Sequence, residues 1–343
     1  RSDTVSLQNI NLELIRFRLD KLSGILPYMP RITGLFSAEA NYIQTATSLQ
    51  VSAEAGVEKL TYERQPVGNI GLGATWLPGD KGTHYLNAYF RSGDQEVMTA
   101  DAVLTQKNGR DSVEVNTTFE HFPLSLANAF MPDQVVAFTG DIDGGLYISG
   151  AMEKPKLSGD LSLDSVSVYA RQAGARYWFD NRPLKIENNQ LIFNKFAIYT
   201  TSRNPFTIDG NVDFRNMENP TAKLNLRAQN YTLLDAPRTK ESMIYGKIFV
   251  DLNATVRGPL DGLTMRGNMN LLGNTDVTYV LTDSPLTVED RLGELVTFTS
   301  FTDTTSVQAT EVPTMSLGGM DMLMSVHIDD AVRLRADLSP DRS

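Results

Sequence analysis

The chain has 343 residues, 41% of them hydrophobic, and its 41 Asp and Glu outweigh 31 Lys and Arg for a net charge of −10. A chain this acidic is repelled by phosphate backbones, which argues against nucleic-acid binding. It has no cysteine, so disulfides, thiolate metal sites and cysteine nucleophiles are excluded.

Taken in chain order, most segments alternate with period two, as strands do. "IRFRL" sets Ile15, Phe17 and Leu19 against Arg16 and Arg18, and a short helix is predicted in "DKLSGILPYM" from Asp20. Turn signals follow at Leu77–Gly82 and Lys107–Asp111, with a second short helix expected in "PLSLANAFM" from Pro123. Further strands are separated by turns at Glu187–Asn189 and Arg215–Pro220. A third helix is predicted in "TVEDRLGELV", where Thr287 and Asp290 form a capping box. No signal peptide stands at Arg1 and no apolar run has the length of a membrane span, so the chain reads as a fragment whose anchoring elements lie elsewhere.

The pattern repeats. Gly34, Gly140 and Gly246 each follow a helical or turn segment and precede an alternating strand, at two equal intervals of 106 residues. The interval is even, so strand phase is kept. One parity carries Phe36, Ala38, Ala40 and Tyr42 in the first unit and Ile142, Gly144, Leu146 and Ile148 in the second. In the third it carries Ile248, Val250, Leu252 and Ala254. Glu39, Asn41, Asp141, Asp143, Lys247 and Asp251 fall on the other parity. Gly150 and Gly159 match Gly258 and Gly267. The expected organisation is one elongated array of three related β units, approximately 14–120, 121–227 and 228–343.

Chemical motifs are weak. "GLGATW" at Gly71–Trp76 lacks the third glycine and following helix of a dinucleotide loop. In "DIDGG" the twelfth position counted from Asp141 is Met152, where a calcium loop needs a bidentate carboxylate. His84, His121 and His327 are far apart, and a strand or surface role is the plainer reading of each. No nucleophile elbow is present. The feature left is the apolar strand face, which forms a core in a compact sandwich and lines a groove in a curled sheet.

The stretches from Gly140 to Ala170 and from Gly246 to Leu281 share a Gly-strand-Gly-Pro-x-Leu-x-Gly-strand arrangement. On these, and on "SPLTVEDRLGELVTF" and "SVHIDDAVRLRADLSP", the chain resembles the C-terminal region of the TamB family, translocation and assembly module subunits of the AsmA-like superfamily, in a Bacteroidetes-like form. The resemblance covers roughly Leu14 onward. It implies an all-β fold, an elongated curled sheet or β-taco with a few short helices. It also implies a periplasmic protein of a Gram-negative bacterium, anchored in the inner membrane in its full-length form. Such a protein carries phospholipid between membranes together with an outer-membrane barrel of the TamA/BamA type, with no catalytic residues, metal or cofactor. The residues expected to line the groove and meet acyl chains are Phe36, Tyr42, Ile142, Leu146, Ile148, Ile248, Val250 and Leu252. Three other readings stand beside this one: a scaffold or chaperone-like β protein that assists outer-membrane protein assembly without carrying lipid, an adhesive repeat with a side-chain-filled interior, and a carbohydrate-active solenoid. Trp76, Tyr177 and Trp178 are too scattered to favour the last.

Overall fold

The computed structural model describes residues 6–21, 30–107, 110–131, 136–171, 173–239, 242–280, 316–317 and 320–337. They form a single sheet of 20 strands. In chain order these are β1 (Ser6–Arg18), β2 (Ile32–Thr45), β3 (Leu49–Tyr62), β4 (Gln65–Pro78), β5 (Thr83–Ser92), β6 (Gln95–Lys107) and β7 (Arg110–Pro123). Next come β8 (Val136–Ala151), β9 (Lys156–Ala170), β10 (Ala175–Phe179), β11 (Leu184–Glu187), β12 (Gln190–Tyr199), β13 (Phe206–Asp213), β14 (Thr221–Ala236) and β15 (Ile244–Pro259). The last are β16 (Thr264–Leu271), β17 (Asp276–Val280), β18 (Ser316–Leu317), β19 (Met320–Ile328) and β20 (Arg333–Asp337).

From β1 to β9 each strand pairs antiparallel with the next. β10 and β11 then share one row, each pairing with a different part of β9 and of β12. The meander resumes through β15, against which β16 and β17 again share a row. Among the described residues no pairing joins β1 to β19 or β20, so the sheet is open rather than a closed barrel. Its rows number about 16, which at about 4.8 Å each gives a length of about 70 Å.

At the far end β19 lies parallel to β16 and β20 parallel to β17. Parallel neighbours need a crossover, and the sequence between Val280 and Ser316 connects them. The helix expected from Pro123 is a seven-residue 3-10 segment, Leu124–Phe130, and the one expected from Asp20 shows only Leu19–Lys21 among the described residues. A segment this short does not offset the cost of nucleating an α-helix. The helix expected at 287–296 lies outside the described residues.

The three repeat glycines open β2, β8 and β15, which lie six rows apart and run in the same direction. The strands before them are bulged. Ile15 and Arg16 together oppose Ser37, so Leu14, and not Ile15, shares the face of Phe17. Positive-φ bulge residues recur at Arg16 in β1, Lys59 in β3, His121 in β7, Ser165 in β9, Lys195 in β12 and Asn230 in β14. All six belong to rows of one direction. The freed amide is caught by a neighbouring side chain. Arg16 N–H donates to Ser37 Oγ (3.0 Å), His121 N–H to Asp143 Oδ1 (2.7 Å) and Asn230 N–H to Asp251 Oδ1 (2.6 Å). Bulges bend a strand and increase its twist. Lying on six of the seven rows of that direction from β1 to β14, they curl the sheet about its long axis.

Gly140 has φ 87°, and a Cβ there would lie 2.6 Å from the Asp164 carbonyl oxygen. Gly93 has φ 64° and open space around the same point. Gly93→Ala should therefore cost only its left-handed backbone, about 1 kcal/mol, while Gly140→Ala adds a clash with backbone for a total of about 3 kcal/mol. Urea titration of the two variants, with hydrogen exchange across β8 and β9, checks the ordering.

Candidate functional site

Cross-strand register carries one face of the sheet from row to row. Ile10, Tyr42, Val51, Trp76, Leu86, Ala102, Val115, Ile148 and Leu157 are successive partners. A second line runs from Leu12 through Ala40, Ala53, Ala74, Ala88, Ala100 and Thr117 to Leu146. It continues through Gly159, Ile186, Leu191, Val212 and Ala222 to Gly258. Gly258 has the parity of Ile248, Val250 and Leu252 in β15. Phe36 pairs with Phe17 and Val57 on the same face. The structure thus brings all eight proposed lining residues onto one side of one sheet.

That side is not uniform along its length. From β1 to β8 its large residues stay accessible: Leu12 is 67% exposed and Leu72 53%, and Phe36, Tyr42, Trp76, Phe90, Leu146 and Ile148 are half-buried. Among the described residues before Val166, Val97 and Ala129 are the buried apolar side chains. The rest lie between Val166 and Val277. There Tyr231 and Val250, each 2% exposed, pack with Ala228 against Phe206, Ile248 and Leu252. A second cluster joins Ala175, Leu234, Ala236 and Val277 with Tyr177 and Ile244. Burial raises the pKa of the Tyr231 phenol above its ordinary value, with Tyr177 adding to the shift, and burial alone raises that of Tyr177. Of the eight residues expected to line a groove, then, five lie where the apolar side is accessible, whereas Ile248, Val250 and Leu252 lie where it packs with its own side chains.

The Leu124–Phe130 segment crosses one rim of the open part. Asn128 Nδ2 donates to the Phe138 carbonyl (2.9 Å) and Asn128 Oδ1 accepts from the Phe138 N–H (2.7 Å), tying the segment to β8. Its far end reaches β3, where the Phe130 and Tyr62 rings lie 4.9 Å apart.

The polar side carries the charges. His121, Asp143 and Asp164 present ligand atoms within 4.8 Å of one another, a proximity that their sequence spacing does not reveal. Asp143 already serves the bulge at His121, and Ser37 and Asp251 do the same at Arg16 and Asn230 with no histidine there. The carboxylate is thus explained by the fold. His84 stacks on Trp76 with ring centroids 5.5 Å apart, on the apolar side, and His327 approaches Asp329 at 3.7 Å.

The described residues thus define an elongated all-β protein built on one open sheet with a continuous apolar side. Residues 194–340 match the family model described as TamB C-terminal domain. That stretch, from within β12 onward, is what the chain shares with the TamB family. No curated protein and no solved structure matches the chain. Proteins of that family are components of envelope-related transport of lipid or protein. No helix among the described residues is long and apolar enough to cross a membrane.

Leu146 and Val250 test the difference along this side of the sheet. Val250→Asp buries a carboxylate without a partner and should destabilise by about 4 kcal/mol or more. Leu146→Asp leaves its charge near solvent and should cost about 1–2 kcal/mol. Thermal unfolding followed by circular dichroism separates them.

Proposed function

We propose that this chain is a passive segment of a lipid-carrying groove in the bacterial envelope. Phospholipid acyl chains lie on the apolar side of β1–β8 while headgroups and the acidic polar side face water. The observation that carries this reading is the apolar side left half-exposed across eight consecutive strands. A face of Phe, Trp, Leu and Met without a protein partner is unfavourable in water unless something covers it. Acyl chains match it chemically, at about 0.8 kcal/mol per buried methylene. Travel along the groove then needs no bond-making residue, only a surface of even apolarity. The family match supports a place in the periplasm, an inner-membrane anchor on the full-length protein and an outer-membrane barrel of the TamA/BamA type as the partner.

A second reading is favoured by the packed interior between Val166 and Val277. A chain that only holds or guides outer-membrane proteins needs a stable scaffold and no lipid path. Lipid extraction of the folded, purified chain followed by mass spectrometry distinguishes the two. Under the lipid reading, phospholipid co-purifies, delipidated protein takes it up again from vesicles, and Leu146→Asp loses uptake while keeping its fold. Folded wild-type protein that neither retains nor takes up phospholipid decides for the scaffold.

A further inference from the structure

We infer that the acyl-binding path in this chain is bounded: it occupies β1–β8 and stops at a closed segment latched by hydroxyl groups of Tyr177 and Thr200 on the β14 backbone. This rests on the lipid reading above and adds where the ligand ends and which residues end it. The boundary is marked first by burial. The apolar side is accessible up to β8 and filled between Val166 and Val277, where Tyr231, Val250 and Ala254 are each 2% exposed, and it is exposed again at Val326, Ile328 and Leu334 on β19 and β20. An acyl chain entering there would have to displace packed side chains.

Two hydrogen bonds mark the boundary independently. Tyr177 Oη, from β10, donates to the Leu233 carbonyl at 2.9 Å. Thr200 Oγ1, just past β12, donates to the adjacent Thr232 carbonyl at 2.7 Å. Neither is a ladder bond between neighbouring strands. Both lie beyond the end of β13, which pairs with β14 only from Thr221 to Ala228 and is half the length of that 16-residue strand. Thr232 is 2% exposed and Thr200 9%, so these groups are withdrawn from water and depend on each other for satisfaction. The short strand lets the rows on either side of it meet, and the two hydroxyls fix them together over the Leu234 and Val277 cluster. Among the described residues of rows β1–β8, no hydroxyl on the apolar side makes such a bond to the backbone of a non-neighbouring row. There the brace is the Leu124–Phe130 segment, which spans a rim and leaves the floor uncovered.

The test uses the intact chain and a phosphatidylcholine with a diazirine midway along one acyl chain. After reconstitution with this lipid and photolysis, peptide mapping reads where carbene adducts form. The expected result is labelling concentrated on peptides from 32–122, with little on peptides from 206–271. In Tyr177→Phe the packing is kept and one hydroxyl is lost, so labelling of 206–271 should rise about fivefold, the population change expected from losing one neutral hydrogen bond. An unchanged circular dichroism melt shows that the variant is folded. Equal labelling of both regions in the wild type overturns the closed end and leaves the lipid groove standing. No adduct anywhere overturns both. Labelling confined to 32–122 in Tyr177→Phe and in the double variant with Thr200→Val overturns the latch.

Discussion

Every other property of this structure depends on conservation of strand phase across the hydrogen-bonded rows. A side chain's face is set by whether its position is odd or even within its strand, and a slip of one residue at any hairpin would move every following apolar side chain to the solvent side. The sheet makes no such slip. The line from Leu12 to Gly258 crosses fourteen strand rows, counted roughly, and meets Ala, Thr, Leu, Gly, Ile or Val at each. Neither a closed barrel nor a second sheet is needed to give this molecule an inside. Curling one sheet of constant phase is enough, and the bulges supply the curl without disturbing the phase of the glycine-led strands.

The same constraint permits both forms of interior. Where side chains are alternately small and large, as in the Ala40, Ala53, Ala74, Ala88 and Ala100 line beside Tyr42, Trp76 and Leu86, the curled face has a floor and remains open. Where the rows shorten at β13, the two sides approach and Tyr231, Leu234, Val250 and Val277 fill the space. Burial then protects a core in the ordinary sense, and a charge placed there meets a different environment from one placed at Leu146. The family match begins within β12 and so coincides largely with the closed part.

The sequence made the glycine-led strands legible because they carry no bulge. In β8 the apolar positions from Ile142 to Ile148 keep strict alternation, and β15 does the same from Ile248 to Ala254. Their neighbours do not. In β7 the apolar face passes from Phe119 to Phe122, and in β1 from Leu14 to Phe17, because two residues oppose one at each bulge. A period-two reading of "IRFRL" therefore puts Ile15 on the wrong side. The parallel rows β19 and β20 were hidden for another reason: pairing across a long crossover leaves no local trace. The His121, Asp143 and Asp164 proximity was equally invisible, being created by register between three strands. Nor does alternation distinguish an open interior from a filled one, since Leu146 and Val250 occupy similar positions in their strands and differ only in what the rest of the sheet brings near them.

The six-row interval between glycine-led strands gives the molecule a unit of length. At about 4.8 Å per row, each interval advances the sheet by about 29 Å along its axis for 106 residues of chain. Because, among the described residues, neither the β1 side nor the β19 and β20 side is sealed by closure, a duplication of one interval would preserve direction, face and curl together. The length of such a sheet is adjustable in discrete steps, set by the number of intervals without redesigning any one of them.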